Sequence, residues 1–547
     1  MKENGQQSTY QILQPLMLSI MMAVGIFLGY KMNDKADISL VTQISEQTGN
    51  VQIGSVEEVL KLIDSRYVDT KDRDELIAVA LESVMKKLDP HSVYLPPNKL
   101  SKINEVMDGS FLGLGIESIF TDDTVGILKV ITDSPAAKAK LKPFDQIVQI
   151  DSTIVAGKKM EFDEIKQLLN PIDMEVSVKV KRYGISDLMT FNIKLDRIPI
   201  HTASAGAMLN NNTAIIKIEQ FTSNTYKEFM ESYEDLFENN KLKNLIIDLR
   251  GNPGGYLPEA TKILNQLTNE KDRTMLFTIG REGAKREYKT NGKAFFYVEN
   301  IAVLVDEGSA SGAEIIAGTL QDWDRALIIG RKTFGKGLVQ EQFNLSNGGA
   351  LRLTTARYFL PSGRNIQKDY TDIDQYQNEL DERVRTREIF EKGNMNSDIK
   401  RKDTSKSVYK SLVFGRELTD QGGVTPDIFI PADSAEYKSD YIRYKSNVMP
   451  YIYQKLRISP SLQSINDKTD AVFNGFLNYS QKKNPSLKSS VLTAGQKDSI
   501  IKEMNNCIKY ISSSEDADIL FKSATDPFVL EAISYFKNPN LAQIIKK

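Results

Sequence analysis

Apolar positions in the first hundred residues fall at helical spacing. Val56, Val59, Leu60 and Ile63 form one stripe, and Leu76, Ile77, Ala80, Leu81 and Val84 form a second. The stretch LDPHSVYLPP at 88–97 ends that pattern with three prolines. Over residues 111–183 the period shortens. FLGLGIESIF reads as a Gly-rich turn entering a strand, GILKVI, DQIVQID and VSVKVKRY as further strands, and FDEIKQLL as one short helix. Together they predict a small module.

Residues 213–360 alternate differently. The short apolar runs TAIIKI, NLIIDLR, NIAVLVD and RALIIG are separated by helical patterns such as YKEFMESYEDLF and LPEATKILNQL. That alternation predicts a largely parallel sheet covered by helices. Residues 370–410 are dense in charge and read as an exposed, partly mobile insertion. From about 435 onward, helical spacing with many lysines and serines predicts a separate C-terminal helical region.

Residues 16–30, LMLSIMMAVGIFLGY, carry no charge. As a helix they span about 22 Å, short of a bilayer core of about 30 Å, but Ile12, Leu13 and Met32 extend them. No small-x-small cleavage site follows. The reading is an uncleaved signal anchor over 14–32, with a cytoplasmic tail at 1–13 and a linker at 33–54; an ordinary signal peptide is the runner-up. Charge does not fix the topology, because Lys2 sits beside Glu3 while Lys31 and Lys35 follow the segment.

Composition narrows the chemistry. A chain of 547 residues holds about three or four domains, and a net charge of −2 gives no argument for nucleic acid. The single cysteine, Cys507, excludes intramolecular disulfides and thiolate metal clusters and reads as a small buried hydrophobe. The two histidines, His91 and His201, have no neighbouring ligands at metal spacing, so neither zinc nor any other metal is expected. They also leave a serine hydrolase few candidate bases.

Three turns are candidates for chemistry. In IIDLR-GNPGG-Y, a buried strand runs into Gly251, Gly254 and Gly255. Such a turn can aim successive N–H groups at one point as an anion or oxyanion cradle, or be only a tight strand-to-helix turn. In AVLVDEGSASGAEIIAGTLQD, a strand ends at Asp306 and a helix starts near Ser311. That serine is either an N-cap or a nucleophile displayed on a sharp elbow, with the helix dipole and the Gly312 N–H beside it.

The third turn, GRKTFGKGLVQ at 330–340, is close to a phosphate-binding loop. It lacks the Ser or Thr after Lys336, and no helical stripe follows, so the ATP-binding reading fails on two counts. A lysine between Gly335 and Gly337 can turn inward, lose water and become a base for a serine hydroxyl. In an extended segment residues i and i+4 share a side, so Gln340 is a candidate to orient the amine.

These motifs, with LDPHSVYL, RYFLPSGRNIQ and GGVTPDI, resemble the carboxy-terminal processing (tail-specific) protease family over roughly residues 55–430. The resemblance implies Ser311 as nucleophile, rather than Ser309, Lys336 as general base and Gln340 as its orienting partner. It implies oxyanion donors at Gly312 and in the Gly254–Gly255 turn, and a structural role for Asp322. The 111–183 module resembles a PDZ domain, with Gly113, Leu114, Gly115 and Ile116 where such domains bind a peptide carboxylate. Two departures stand out: Phe144 replaces a common glycine, and NPID at 170–173 replaces a basic, Gly-containing turn.

The implied fold is multidomain, α/β and β. A ClpP/crotonase-like α/β peptidase core over 185–434 carries a PDZ domain at 106–184, an N-terminal helical segment at 55–105 and a C-terminal helical region at 435–547. The implied protein is a cofactor-free serine endopeptidase acting on protein or peptide substrates with free C-terminal tails, with no nucleic-acid partner. The C-terminal helices would pair subunits or bind an adaptor. Together with the anchor, the resemblance places it as a single-pass protein of a bacterial inner membrane, its catalytic part in the periplasm. The alternative is a catalytically inactive PDZ scaffold or adaptor at the membrane.

Overall fold

The computed structural model describes residues 53–538 apart from 122–123, 159, 161, 170–174, 204–205, 239–241, 392–408, 421, 488–491 and 513–514. The expected anchor at 14–32, the tail before it, nearly all of the linker and the NPID turn lie outside the described residues. Among the described residues no helix is long and apolar enough to cross a membrane. This corrects the sequence expectation: the structure does not support a single-pass inner-membrane protein. The physical reason is length and charge: a span needs about 20 apolar residues, and the longest described helix, Ala494–Ser512, carries Lys497, Asp498, Lys502, Glu503 and Lys509.

The chain divides into two compact units, residues 1–83 and 84–547. In the first, helix Ile53–Arg66 precedes a second helix that begins at Arg73. Arg73 reaches Glu57 at 3.0 Å and Asp64 at 3.1 Å. Of the predicted stripe Leu60 is buried, while Val56 and Val59 remain exposed.

At the centre of the second unit is a six-stranded sheet. Its spatial order is Gly206–Asn210, Thr213–Lys217, Asn244–Asp248, Asn300–Val305, Ala326–Gly330 and Ile428–Phe429. The first pair is antiparallel and the rest are parallel. Four of its strands are buried at every position or all but one, as the continuous apolar runs require. Alternate residues serve two cores. Leu245, Ile247, Val303 and Ile328 face helices Thr225–Glu238, Leu257–Gln266 and Gly312–Asp322. Ile246, Ala302, Leu304 and Ile329 face the other way, onto Phe528, Val529, Ala532 and Tyr535 of helix Pro527–Phe536.

A second, antiparallel sheet pairs Val93–Leu95, Ala350–Phe359, Lys271–Gly280 and Lys285–Asn291 in that order, with Leu338–Asn344 also on Ala350–Phe359. The small module is a separate antiparallel sheet. Strands Ile116–Thr121, Thr124–Val130, Gln146–Ile150, Glu175–Lys181 and Met189–Lys194 follow one another across it. The Gly-rich entry is itself a strand, Ser110–Gly113, which pairs with Asp196–Pro199 and closes the module at its two chain crossings.

The C-terminal helices are not the separate region expected from the sequence. They have their own core around Tyr451, Phe473, Phe476 and Met504, but Phe144 of the module packs onto it. Phe144 has φ 72°, where glycine would be strain-free. Its ring lies 5.7 Å from that of Tyr453, so the departure at this turn has a partner. A Cβ on Gly126 would come within 2.3 Å of the Tyr453 hydroxyl. The module surface is thus shaped to take this helix.

Candidate active site

Strand Asn300–Val305 leads into a turn that is fastened from within. Ser309 Oγ donates to the Leu249 carbonyl at 2.8 Å, and the Ala310 N–H donates to the Asn252 carbonyl at 2.8 Å. Ser309 is therefore used by the turn. Ser311, two residues on, caps helix Gly312–Asp322 with φ 51° and ψ −110°. A non-glycine residue there stores about 1–3 kcal/mol and persists only when its surroundings hold it. Here the Ser311 N–H donates to Glu314 Oε2 at 2.9 Å.

The same carboxylate holds the other turn. Glu314 accepts from Thr333 Oγ1 at 2.5 Å, the Gly335 N–H at 2.7 Å and the Lys336 N–H at 2.8 Å. It is fully buried. Burial pushes its pKa up, and these four donors oppose that shift. Because Gly335 and Lys336 give their N–H groups to a protein carboxylate, the loop is no phosphate cradle. A strand, Leu338–Asn344, follows it in place of a helix.

Lys336 is half-buried. Burial holds its ammonium below the usual lysine range, with the Arg352 guanidinium adding to the shift and Glu314 and Asp89 opposing it. Its Nζ donates to Gln340 Oε1 at 3.0 Å, and Gln340 Nε2 donates to the His91 carbonyl at 2.6 Å. A register shift at Val339/Gln340 against strand Ala350–Phe359 lets residues 336 and 340 meet despite the bend. Lys336 and Ser311 line one cleft of about 450 Å³, with Met107, Leu257, Ile315 and Leu338 as apolar walls. No hydrogen bond joins Lys336 Nζ to Ser311 Oγ in this state.

The predicted oxyanion groups converge on the same place. A Cβ on Gly254 would stand 2.9 Å from the Gly312 nitrogen and 2.7 Å from the Ser311 Cβ, so only glycine permits this approach. The Gly254 N–H itself donates to Asn252 Oδ1 at 2.8 Å. That removes Gly254 as a donor and leaves the Gly255 and Gly312 N–H groups.

The four peptide-binding candidates lie together in the module, in and after strand Ser110–Gly113. Leu114 is buried, and its carbonyl accepts from Ala136 at 2.9 Å. The Gly115 carbonyl accepts from Ile131 at 2.9 Å. Neither the Leu114 nor the Gly115 N–H has an acceptor among the described residues. Ile116 opens strand Ile116–Thr121 at the edge of the sheet. His201 lies 3.4 Å from Glu228, and Asp322 lies 2.8 Å from Arg364, both wholly buried, as a structural pair.

The sequence reading missed Glu314 and the His91 carbonyl. A signal for Glu314 was present: Ser311-x-x-Glu314 has the spacing of a capping box. The carbonyl had none, since any residue supplies one.

The description of peptidase family S41 matches residues 212–376. The carboxy-terminal processing protease CtpB of Bacillus subtilis is 33% identical over 319 residues, 57% of this chain and 65% of that protein. The chain thus spans just under two thirds of that relative. The carboxy-terminal-processing protease of Bartonella bacilliformis is 32% identical over 358 residues, 64% of this chain and 80% of that protein. Among solved structures, a photosystem II D1 C-terminal processing protease is 26% identical, with 57% of this chain and 89% of that one covered and a TM-score of 0.33.

Proposed function

The chain belongs to the carboxy-terminal processing protease family, and from that premise we propose that it is a serine endopeptidase with a Ser-Lys dyad. The observation that carries the proposal is the single buried carboxylate, Glu314, which ties the Ser311 turn and the Lys336 turn to one cleft. The fold that carries the chemistry is read as a ClpP/crotonase-like core.

The proposed chemistry follows from the groups present. Neutral Lys336 Nζ takes the proton of Ser311 Oγ as that oxygen attacks a peptide carbonyl carbon. The oxyanion of the tetrahedral adduct is received by the Gly255 and Gly312 N–H groups at the helix N-terminus. As the C–N bond breaks, the Lys336 ammonium returns its proton to the leaving amine. Water, giving its proton to Lys336 Nζ, then attacks the acyl carbonyl carbon, and the ammonium returns that proton to Ser311 Oγ as the ester C–O bond breaks and the acyl group leaves as a carboxylic acid. Gln340, held by the His91 carbonyl, fixes the direction of the amine. In the resting state the amine leans on Gln340; bound substrate excludes water and closes the gap to Oγ.

The module is read as a PDZ domain that takes a substrate's terminal carboxylate on the Leu114 and Gly115 N–H groups, with the tail lying along the open edge of strand Ile116–Thr121. The substrates are then proteins with free C-terminal tails. The rival, an inactive scaffold, is favoured by one observation, the missing hydrogen bond between Lys336 and Ser311. Peptides with free or amidated C-termini separate the readings. Wild type should cleave the free form faster, and Ser311→Ala neither. Absence of cleavage by wild type, with no Ser311 acylation, sinks the endopeptidase.

A further inference from the structure

The charge-dense segment that follows RNIQ was expected to be exposed. Most of residues 369–391 are exposed, as expected, but Tyr376, Arg383 and Ile389 are buried and anchor the segment on the back of the Lys336 loop. Arg383 is buried, and its guanidinium donates to the carbonyls of Lys332 at 2.7 Å and Thr333 at 3.4 Å. Its Nε pairs with Glu388 at 3.0 Å. These carbonyls open the loop that ends at Lys336.

A second route starts at Tyr376, also buried. Its hydroxyl lies 2.5 Å from His91 Nε2. The His91 carbonyl holds Gln340, and Gln340 holds the Lys336 ammonium. Between the two routes sits Lys368, its ammonium 3.9 Å from the Phe334 ring and 4.0 Å from the Tyr376 ring, donating to the Tyr376 carbonyl at 3.2 Å and paired with Glu379.

We propose that residues 369–391 are a buttress of the active site, in which Arg383 and Tyr376 are positioning residues for Lys336. Burying cations such as Arg383 and Lys368 is costly unless their donors are matched. Here the matched partners are the backbone of the lysine loop and the ring next to it. A fork of two N–H donors on consecutive carbonyls fixes a peptide unit in place and direction. The Tyr376–His91 contact fixes the segment whose carbonyl clamps Gln340. The inference rests on the reading of Lys336 as the base, and it assigns a task to a segment which that reading left idle.

The test uses the full chain as wild type, Tyr376→Phe, Arg383→Met and Arg383→Lys. The first readout needs no catalysis: the rate at which acetic anhydride acetylates Lys336, followed by mass spectrometry across pH. The groups facing this amine are Arg352, Glu314, Asp89 and, next to Gln340, His91. Wild-type Lys336 should titrate below an ordinary lysine. Tyr376→Phe and Arg383→Met should raise its midpoint toward that of an ordinary lysine as the amine gains water.

The second readout is peptide cleavage. A loop displaced by a fraction of an ångström should lower kcat about tenfold, short of the roughly hundredfold that a full ångström can cost. KM should stay within about twofold, and Arg383→Lys should regain part of the loss. If Arg383→Met does not fold, Tyr376→Phe decides alone, since it removes one oxygen. Folded variants with the wild-type midpoint and wild-type kcat overturn the buttress. Retained cleavage by Lys336→Ala would overturn the dyad instead, while the acetylation midpoints still judge the buttress.

Discussion

Lys336 and Gln340 share a hydrogen bond of 3.0 Å across a bulged strand entry, with Gln340 held in turn by a backbone carbonyl. The glutamine oxygen accepts from the amine and leaves its proton inventory unchanged. Gln340→Ala should therefore lower kcat about tenfold to hundredfold with little change in KM, because orientation is lost and binding is not. Gln340→Glu adds a charge that favours the ammonium. Its activity should need a higher pH than wild type. Equal pH profiles for Gln340→Glu and wild type would remove Gln340 from the site.

Burial lowers the pKa of Lys336, and the direction decides two outcomes. Activity should rise with pH through that lowered pKa, since the neutral amine is the base. Stability follows the same sign. Between the folded and unfolded pKa values the unfolded chain binds more protons, so this residue makes the fold more stable as pH rises through that window. Lys336→Met removes a poorly solvated cation. It should unfold at the same or a higher temperature near neutral pH while losing several orders of magnitude in kcat. Thermal melts at two pH values check both claims.

His91 gives a contrasting pH signature. Burial and the nearby Lys336 and Lys368 cations push its pKa down to about 4, with Asp89 opposing. Its ring stays neutral at working pH, so the activity profile should carry no limb near 6.5. Between pH 6.5 and about 4 the unfolded state binds more protons, so stability is lost as pH falls through that range. His91→Ala keeps the carbonyl that holds Gln340 and should retain far more activity than Lys336→Ala. His201→Ala should be near wild type. A loss as deep as that of Lys336→Ala in either variant would make histidine the base.

Much of this architecture was legible because its causes are local. The apolar runs at 244–248, 300–305 and 326–330 could only be strands buried on both faces, and the turns after them brought Ser311 and the glycines to one end. Glu314 was legible in part, through its capping-box spacing. Two features were not. Residues 368–391 look solvated because Lys368, Glu379, Arg383 and Glu388 are charged, but each of these two cations finds its counter-ion within the fold. The role of helix Pro527–Phe536 was hidden for another reason. Its partners lie some two hundred residues or more away, on the second face of the central sheet, and no local pattern states what covers that face.

That helix supplies a stability prediction. Phe528 is buried against the sheet and lies under Arg250, whose guanidinium is 4.6 Å from its ring and 2.8 Å from Asp526. Phe528→Ala should cost about 3–5 kcal/mol. Deleting the chain from residue 525 should leave the sheet face bare and the catalytic unit unfolded or aggregated. Denaturant unfolding of the two variants measures this; an unchanged midpoint for Phe528→Ala would mean the face is not sealed by this helix.

The most direct measurement is the pH-dependent acylation of Ser311 by a fluorophosphonate, read by mass spectrometry in wild type and in folded Lys336→Ala. The predicted result is labelling at Ser311 that rises with pH through a midpoint below that of ordinary lysine and falls by orders of magnitude in the variant. Labelling of Lys336→Ala at the wild-type rate, or modification elsewhere with Ser311 untouched, would contradict the account.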